Sequence, residues 1–318
     1  MIGKLDPDAL ERVLARTGAR DDDVAVGPAY GEDAAAIRVG DELLVASSDP
    51  LSLARERLGT LAVHVACNDV AACGADPRWL TNVVFLPDDD PETLHVLTDQ
   101  IDREAESLGV AVVGGHSEYT PALERPMVSM TAMGLTDEYV PTGGAKPGDR
   151  LVLTKGAGIE GTAILATDFR EEIDLPDEVF ERAEGFFAEI SVAPEATILR
   201  DYATAMHDPT EGGLLNGAVE MASASETRLE LDRDAVPVRE ETETLCGAMD
   251  VDPLRIFGSG ALLAAVPERE VGDALAALAT ADIEASEIGV ATDGDAGVTI
   301  DERHFAGAVR DDLYDLWM

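Results

Sequence analysis

The sequence has 318 residues, of which 46% are hydrophobic, so it can bury a core and, at about 150 residues per domain, form about two domains. Its 64 acidic and 23 basic residues give a net charge of −41 at pH 7. A surface this acidic repels nucleic-acid backbones and anionic membranes. We therefore exclude a disordered chain, a general nucleic-acid-binding protein and a membrane-surface protein.

The acids are spread along the whole chain rather than gathered in a tail, and lysine is rare. The only lysines are Lys4, Lys146 and Lys155. This composition is typical of proteins adapted to high salt, because ions at 1 M screen the repulsion between surface charges within about 3 Å. We predict that the protein is halophilic and that its stability rises with ionic strength.

Cysteine usage and the N-terminus indicate the compartment. Cys67, Cys73 and Cys246 form no C-x-x-C pair, which argues against a disulfide framework and against a zinc site. The first 20 residues carry acids and lack the apolar core of a signal peptide, and the longest charge-free run, 256–267, is too short to cross a bilayer. We expect a soluble protein of the reducing cytoplasm.

The first half of the chain mixes two hydrophobic periods. Helical periodicity predicts helices over about 57–74 and 91–108. Alternating or β-rich runs predict strands at 34–39, 42–48, 78–86, 110–114 and 126–134. This half is therefore predicted to be an α+β domain.

Proline and glycine punctuate the stretch 141–149 more densely than any other, and we place a domain boundary there, between residues 143 and 144. The second half is predicted to be an α/β domain with a mixed sheet. Its predicted helices lie near 159–168, 177–189, 193–203 and 212–224. Its predicted strands are 150–154, 227–231, 261–266 and 286–291.

One segment places a carboxylate where an apolar residue is expected. Residues 58–75 form a nearly all-apolar helical stretch that is interrupted by Asn68 and Asp69. Burying an unpaired carboxylate costs several kcal/mol unless a cation or hydrogen-bond donors satisfy it. Asp69 is therefore predicted to have such a partner. A carboxylate capped by backbone at a helix end, or paired with a buried arginine, would explain the same pattern.

Similar acids recur beside small residues at the ends of other predicted elements. They lie in the segments Gly31–Ala34, Ser47–Pro50, Gly114–Glu118 and His207–Gly213. Each segment by itself is an ordinary turn. If the acids converge they repel one another, and divalent ions with oxygen ligands are the usual compensation. The pattern therefore indicates magnesium and a polyphosphate. Spacing in the sequence alone does not show whether the acids come together.

The turn 154–162 joins a predicted strand to a predicted helix. Its glycines would let phosphate oxygens approach the backbone, and Lys155 would add positive potential. The turn matches neither a Walker A motif nor a dinucleotide fingerprint.

Nucleophilic catalysis is not indicated, because no G-x-S-x-G motif occurs. His116 and His207 each stand beside an acid in a glycine-rich turn, which leaves a functional and a structural role open.

Taken in order, the motifs resemble the aminoimidazole ribonucleotide synthetase superfamily, the PurM-like proteins. The motifs are Gly31–Ala35, Ser48–Asp49, Asn68–Ala75, Gly114–Glu118, Lys146–Asp149 and Asp208–Gly213. The similarity covers nearly the whole chain. It is greatest to hydrogenase maturation factors of the HypE type and their archaeal relatives, whose version of the last motif is Asp-Pro-Thr-x-Gly-Gly.

This resemblance implies a two-domain ATP-binding fold. The N-terminal α+β domain, residues 1–143, would form a β-barrel across a homodimer, and residues 144–318 would form an α/β domain with a mixed sheet. ATP and Mg²⁺ would lie in a cleft built largely from the N-terminal domain. The architecture agrees with the elements predicted from periodicity.

The resemblance also implies roles for individual residues. The magnesium ligands would be Asp33, Asp49, Asp69, Glu118 and Asp208. The nucleotide contacts would come from Asp33, Asp49, Asn68, Gly114 and Gly115, to which the glycine-rich turn adds Lys155. Catalysis would involve Asp69, Asp208 and His116. Many relatives have an acid where His116 stands, so His116 and Glu118 are alternatives at the metal.

The superfamily's chemistry is ATP-dependent phosphorylation of an amide or carbonyl oxygen, followed by displacement or elimination. HypE-type proteins dehydrate a carbamoyl group on their own C-terminal cysteine, whereas this sequence ends Asp315–Met318 without one. We expect the same ATP chemistry on another small-molecule or carbamoyl-type substrate, with a maturation factor as protein partner. A phosphotransferase resembling thiamine-monophosphate kinase and a non-catalytic nucleotide-binding scaffold are the alternatives.

Overall fold

The protein folds around two β-sheets that follow one another along the chain. A computed structural model describes residues 3–5, 7–52, 54 and 57–317. Strands within residues 24–136 build a six-stranded sheet, and strands within residues 149–305 build a seven-stranded sheet. The predicted fold class, an α+β half followed by a mixed-sheet α/β half, is confirmed. The boundary between residues 143 and 144 stays a prediction.

The N-terminal half combines helices with its sheet. Its helices are α1 (Pro7–Leu14), α2 (Leu58–Ala72) and α3 (Pro91–Leu108). Its strands are β1 (Val24–Val26), β2 (Ala35–Val39), β3 (Glu42–Leu51), β4 (Asp76–Leu86), β5 (Ala111–Tyr119) and β6 (Met127–Thr136). Their order is β1-β2-β3-β6-β4-β5, so β5 is an edge strand. Strands β3 and β5 extend beyond their predicted ends at residues 48 and 114.

Helix α2 is buried along its entire length because apolar residues cover all of its faces. It packs against the N-terminal sheet on one side, with Val63, Ala66 and Val70 in that core. Near its end, Ala71 and Ala72 belong to a second core that is built from the C-terminal half. The helix is therefore enclosed by both halves, and its polar residues Asn68 and Asp69 lie where the halves meet.

The C-terminal half surrounds a sheet with the order β13-β12-β9-β11-β7-β10-β8. Its strands are β7 (Asp149–Thr154), β8 (Ala205–His207), β9 (Arg228–Leu231), β10 (Leu263–Pro267), β11 (Ala285–Thr292), β12 (Gly297–Ile300) and β13 (Arg303–Phe305). Its helices are α4 (Ile159–Asp168), α5 (Asp177–Glu184), α6 (Ala193–Leu199), α7 (Gly213–Ala224), α8 (Glu240–Met249) and α9 (Val271–Thr280). The central strand β7 has three consecutive apolar residues at 151–153, and all three are buried. Such a run is expected for a strand that is packed against other elements on both faces.

Several predicted elements of this half have different lengths. The helix predicted over 177–189 ends at Glu184 and continues as the 3₁₀ turn Gly185–Glu189. The helix predicted over 193–203 ends at Leu199. Helices α8 and α9 were not predicted; α8 buries only Thr242, Leu245 and Cys246, too few apolar positions to give a clear period. Within the described part of the chain, no helix is both long and apolar enough to cross a membrane.

Candidate functional site

A cavity of about 760 Å³ opens between the two halves of the chain. The N-terminal half lines it with the loop 27–35 and with residues 46–49 of β3. The C-terminal half contributes the end of β8, helix α7 and the segment 308–311. Lys4 and Leu5, from the N-terminal segment, line it as well. The cavity therefore gathers side chains that are far apart in the sequence.

Four of the predicted acids come together beside this cavity. The Ser47 hydroxyl lies 2.6 Å from Asp69 Oδ2 and 3.0 Å from Asp49 Oδ2, and its single hydrogen can serve one of them at a time. The backbone N–H of Asp208 points to Asp33 Oδ2 at 3.5 Å. The charges of Asp49, Asp33 and Asp208 all act on Asp69. The structure therefore brings together the acids whose convergence the spacing left open.

Two of these acids are buried without a matching cation. Asp69 is 7% exposed and Asp208 is 1% exposed. Burial, followed by the charges of Asp49 and Asp33, raises the pKa of Asp69 well above its ordinary value. Burial and then the charge of Asp33 raise the pKa of Asp208 in the same way, while the His207 charge and the Asn68 side chain act in the opposite direction. Neither carboxylate oxygen of Asp208 has a partner at hydrogen-bond geometry among the described residues. Such a pair is stabilised when a cation arrives.

A buried histidine neutralises a third acid of the group. His207 Nδ1 lies 2.8 Å from Asp33 Oδ1, and His207 Nε2 lies 3.0 Å from Glu220 Oε2. Lys4 Nζ contacts the other oxygen of Glu220 at 3.2 Å. Burial lowers the pKa of His207, but the Asp33 and Glu220 carboxylates outweigh it and raise the pKa to about 10. Burial raises the pKa of Glu220, while Lys4 and His207 lower it to a net value of about 2.

Glycines allow the two halves to approach each other at this point. Gly31 has a φ of 84°, and a β-carbon there would lie 3.1 Å from the Glu220 carbonyl oxygen on α7. Gly212 and Gly213 also have positive φ angles, of 79° and 64°, and a β-carbon on either would clash with backbone of the same C-terminal half. These conformations strain any residue with a β-carbon. Gly31 therefore permits the close approach of the two halves beside Asp33, while Gly212 and Gly213 permit the tight turn that follows Asp208.

The residues present fit magnesium that is bound together with a polyphosphate. Among the described residues, no group of three or more His, Cys, Asp or Glu side chains is arranged to hold a metal ion by itself. Mg²⁺ commonly takes only one or two protein carboxylates and fills its remaining positions with water and substrate phosphate oxygens. The unpartnered oxygens of Asp208, next to the repelling acids Asp33, Asp49 and Asp69, are the groups that would hold it.

The motif Gly114–Glu118 lies elsewhere. The prediction that it ends a strand is wrong, because the motif lies inside β5, whose residues are all exposed. His116 and Glu118 pair with each other at 3.3 Å, and their side chains are 66% and 50% exposed. Neither these two nor Gly114 and Gly115 line the cavity within this chain. Their roles at the metal and the nucleotide stay predictions that need a second copy of the chain.

Lys155 and Asn68 are engaged within the protein. Lys155 Nζ donates to the backbone oxygens of Glu189 at 2.8 Å and Ser191 at 2.7 Å, and it pairs with Glu195 Oε1 at 2.7 Å. These three acceptors correct the expectation that its ammonium is available to a phosphate.

Asn68 connects the two halves beside the acid cluster. Its amide donates to the Ile190 carbonyl at 2.9 Å and accepts from the Val192 N–H at 2.9 Å. Its side chain also acts on Asp208, whose pKa it lowers, and its contact with a nucleotide stays a prediction.

Sequence reasoning missed several residues of the site. Glu220 was not singled out, although it is the one acid in the otherwise uncharged helix α7, the same signal that identified Asp69. Lys4 and Ser47 gave no local signal, because their partners lie far along the chain. Tyr139 connects two motifs that were found separately: its hydroxyl contacts Cys73 Sγ at 3.2 Å and Glu32 Oε2 at 2.9 Å.

Comparison with known proteins agrees with this geometry. The model of the AIR synthase related protein N-terminal domain matches residues 31–136, and that of the C-terminal domain matches residues 146–302. The chain belongs to the AIR synthase related protein family. The family resemblance seen in the motifs is thereby confirmed.

Individual relatives belong to the hydrogenase maturation branch. A hydrogenase expression/formation protein from Methanocaldococcus jannaschii is 27% identical over 280 residues, covering 85% of this chain and 82% of that protein. The carbamoyl dehydratase HypE of Rhizobium leguminosarum bv. viciae is 27% identical over 264 residues, covering 78% of this chain and 73% of that protein.

Solved structures show the same fold. The hydrogenase maturation protein HypE in complex with ATP superposes with a TM-score of 0.73 at 24% identity, over 96% of this chain and 90% of that one. AaThiL complexed with AMPPCP and TMP gives a TM-score of 0.76 at 20% identity, over 95% of this chain and 94% of that one. At these identities the likeness establishes the fold alone.

Proposed function

We propose that this protein is a magnesium-dependent, ATP-utilising enzyme of the HypE type that phosphorylates the oxygen of a carbamoyl-type or related amide substrate. The family membership and the names of the relatives, which include carbamoyl dehydratase HypE, support the reaction class. The salt-adapted composition and the buried free cysteines support a reducing, salt-rich cytoplasm as its place of action.

One observation carries the proposal: the buried acids Asp69 and Asp208 lie among like charges contributed by both halves, and neither oxygen of Asp208 has a hydrogen-bond partner among the described residues. Magnesium, when bound, would supply that charge and screen the transferring phosphoryl group. Asp208 and Asp69 would hold the ion, and Asp33 and Asp49 would complete its surroundings. Positioning and electrostatic stabilisation are most of what an enzyme contributes to phosphoryl transfer.

The acceptor is proposed to come from outside the described chain. Cys67, Cys73 and Cys246 are all buried, and none of them lines the cavity. Burial raises the pKa of the Cys67 and Cys246 thiols to about 12, so neither is a reactive thiolate. A carbamoyl group on a small molecule, or on a partner such as another maturation factor, fits this arrangement better than self-modification.

A homodimer is proposed to complete the site. Edge strand β5 exposes all of its residues, including the apolar side chains of Val112, Val113 and Tyr119. Exposed apolar edge strands pair readily with another chain. Pairing of β5 between two copies, as the family resemblance implies, would bury this edge and the His116–Glu118 pair with it.

A phosphotransferase resembling thiamine-monophosphate kinase is the second candidate, since the AaThiL fold superposes with the TM-score of 0.76. The charges of the cavity disfavour it. Lys4 and His207 are paired with buried carboxylates, and Arg310 pairs with Asp315 at 2.6 Å. A phosphorylated acceptor would therefore have to compete with carboxylates for each of these cations.

Turnover separates these functions from a nucleotide-binding scaffold. ADP formation from ATP is measured in multimolar KCl with Mg²⁺, using simple carboxamides and carbamates as phosphoryl acceptors and thiamine monophosphate as the competing acceptor. ADP formation that depends on the carboxamide or carbamate supports the proposal. Transfer to thiamine monophosphate supports the kinase, and binding of ATP without any turnover supports the scaffold.

A further inference from the structure

We propose that His207 is the positioning residue that holds Asp33 in place for nucleotide and magnesium, an inference that rests on the proposed function. The carboxylate lies in the loop before β2, in the N-terminal half, and the imidazole lies at the end of β8, in the C-terminal half. The contact therefore fixes an acid of one half by a side chain of the other.

Asp33 needs such a restraint because acids surround it. Its charge acts on both Asp69 and Asp208, so repulsion favours its displacement toward the open cavity. Both carboxylate oxygens lie within hydrogen-bond distance of the same ring nitrogen, at 2.8 and 2.9 Å. Asp33 and His207 both line the cavity, so the restrained carboxylate borders the space that a ligand would occupy.

The imidazole is itself held by the groups behind it. The second ring nitrogen, Nε2, lies 3.0 Å from Glu220 Oε2, and Lys4 Nζ lies 3.2 Å from Glu220 Oε1. Charges of alternating sign therefore run from Asp33 through His207 and Glu220 to Lys4, and both His207 and Glu220 are buried. Buried side chains with every polar atom paired are rigid, which is what a positioning residue requires.

A second buried histidine provides a matched control. His64 of α2 contacts Glu104 at 3.3 Å, and its other ring nitrogen has no hydrogen-bond partner among the described residues. It lines no part of the cavity. His64 and His207 are therefore alike in burial and in having a carboxylate neighbour, and they differ in contact with the acid cluster.

The test compares two amide substitutions. The shorter amide that His207→Asn introduces reaches about the position of Nδ1 and can still donate to Asp33, whereas the longer amide of His207→Gln reaches about the position of Nε2 and donates to Glu220. Titration calorimetry in multimolar KCl measures the Kd for ATP with and without Mg²⁺, and calorimetric melting measures stability. We expect His207→Gln to weaken Mg²⁺-dependent binding at least about tenfold and His207→Asn less than about threefold.

His64→Asn is expected to lower the melting temperature and to leave the Kd within about twofold. If the two His207 variants weaken binding equally, in proportion to their loss of melting temperature, the histidine is merely structural and the inference is overturned while the proposed function stands. If the wild-type protein binds no ATP with Mg²⁺, the proposed function and the inference both fall.

Discussion

Asp208 and Asp301 are the same type of residue in different surroundings. Asp208 is 1% exposed and neither of its oxygens has a hydrogen-bond partner among the described residues. The side chain of Asp301 is 52% exposed and accepts a hydrogen bond from Arg233 Nε at 2.7 Å. In a chain with 64 acids, most carboxylates resemble Asp301. The comparison teaches that burial without a partner, rather than abundance of acids, identifies the ligand site.

The largest effect is expected for the buried acids. Asp208→Asn and Asp69→Asn each remove a negative charge at nearly constant volume, so Mg²⁺-dependent ATP binding should weaken at least about a hundredfold. The same variants should melt about 2–4 °C higher without ligand, because they relieve repulsion worth about 1 kcal/mol. Calorimetric titration and melting check both parts. Wild-type affinity in both variants would contradict the assignment of the metal site.

The pH dependence of stability sharpens the comparison. Burial raises the pKa of Glu160 to about 7 and that of Asp311 to about 8, against ordinary values of 4.5 and 3.8. Between these values the folded protein binds protons that the unfolded chain does not bind, so its stability falls as pH rises. We expect a loss on the order of 5 kcal/mol between pH 5 and 8.

Melting at a series of pH values measures this loss, and Glu160→Gln is its control because it removes one of the two buried carboxyls. The variant should show a flatter profile between pH 5 and 7 than the wild type. A wild-type stability that rises over this range would contradict the raised pKa values of Glu160 and Asp311.

Salt tests the surface acids as a class. Their mutual repulsion is screened at molar ionic strength, so the melting temperature should rise by at least about 2 °C between low salt and multimolar KCl. The measurement is scanning calorimetry with the ionic strength as the only variable. A melting temperature that stays constant or falls would argue against halophilic adaptation.

The smallest effect is expected for a single surface acid. Asp301→Asn removes one exposed partner of Arg233, which keeps Asp252 at 2.8 Å. The free energy of unfolding should change by less than about 1 kcal/mol, and the Kd for ATP should stay within about twofold. A large loss of ATP affinity in this variant would contradict the claim that only the acids of the cleft take part in binding.

The sequence allows much of this arrangement to be predicted, for local reasons. The apolar stretch around Asp69 predicts a buried helix that carries an acid in need of a partner. Helix α2 is that helix, and Asp69 is buried within it. The glycines beside Asp33 and Asp208 predict turns, and Gly31 and Gly212 have the positive φ angles that such turns require.

The remaining features depend on contacts between distant segments. Lys155 suits a phosphate site by its neighbours in the sequence, yet Glu195, 40 residues further on, pairs with its ammonium. His116 looks like part of a turn, yet its strand continues because β5 pairs with β4 as far as Tyr119. Local pattern carries no information about either partner.

The measurement that tests the central claim most directly is a calorimetric titration of the wild-type protein with ATP in multimolar KCl, with Mg²⁺ and then with excess EDTA. The account predicts saturable binding with Mg²⁺ and binding at least about tenfold weaker without it, because ATP alone adds charge to an acidic cleft. Equal affinity in both conditions, or no binding in either, would contradict the assignment of Asp33, Asp49, Asp69 and Asp208 to a magnesium–nucleotide site.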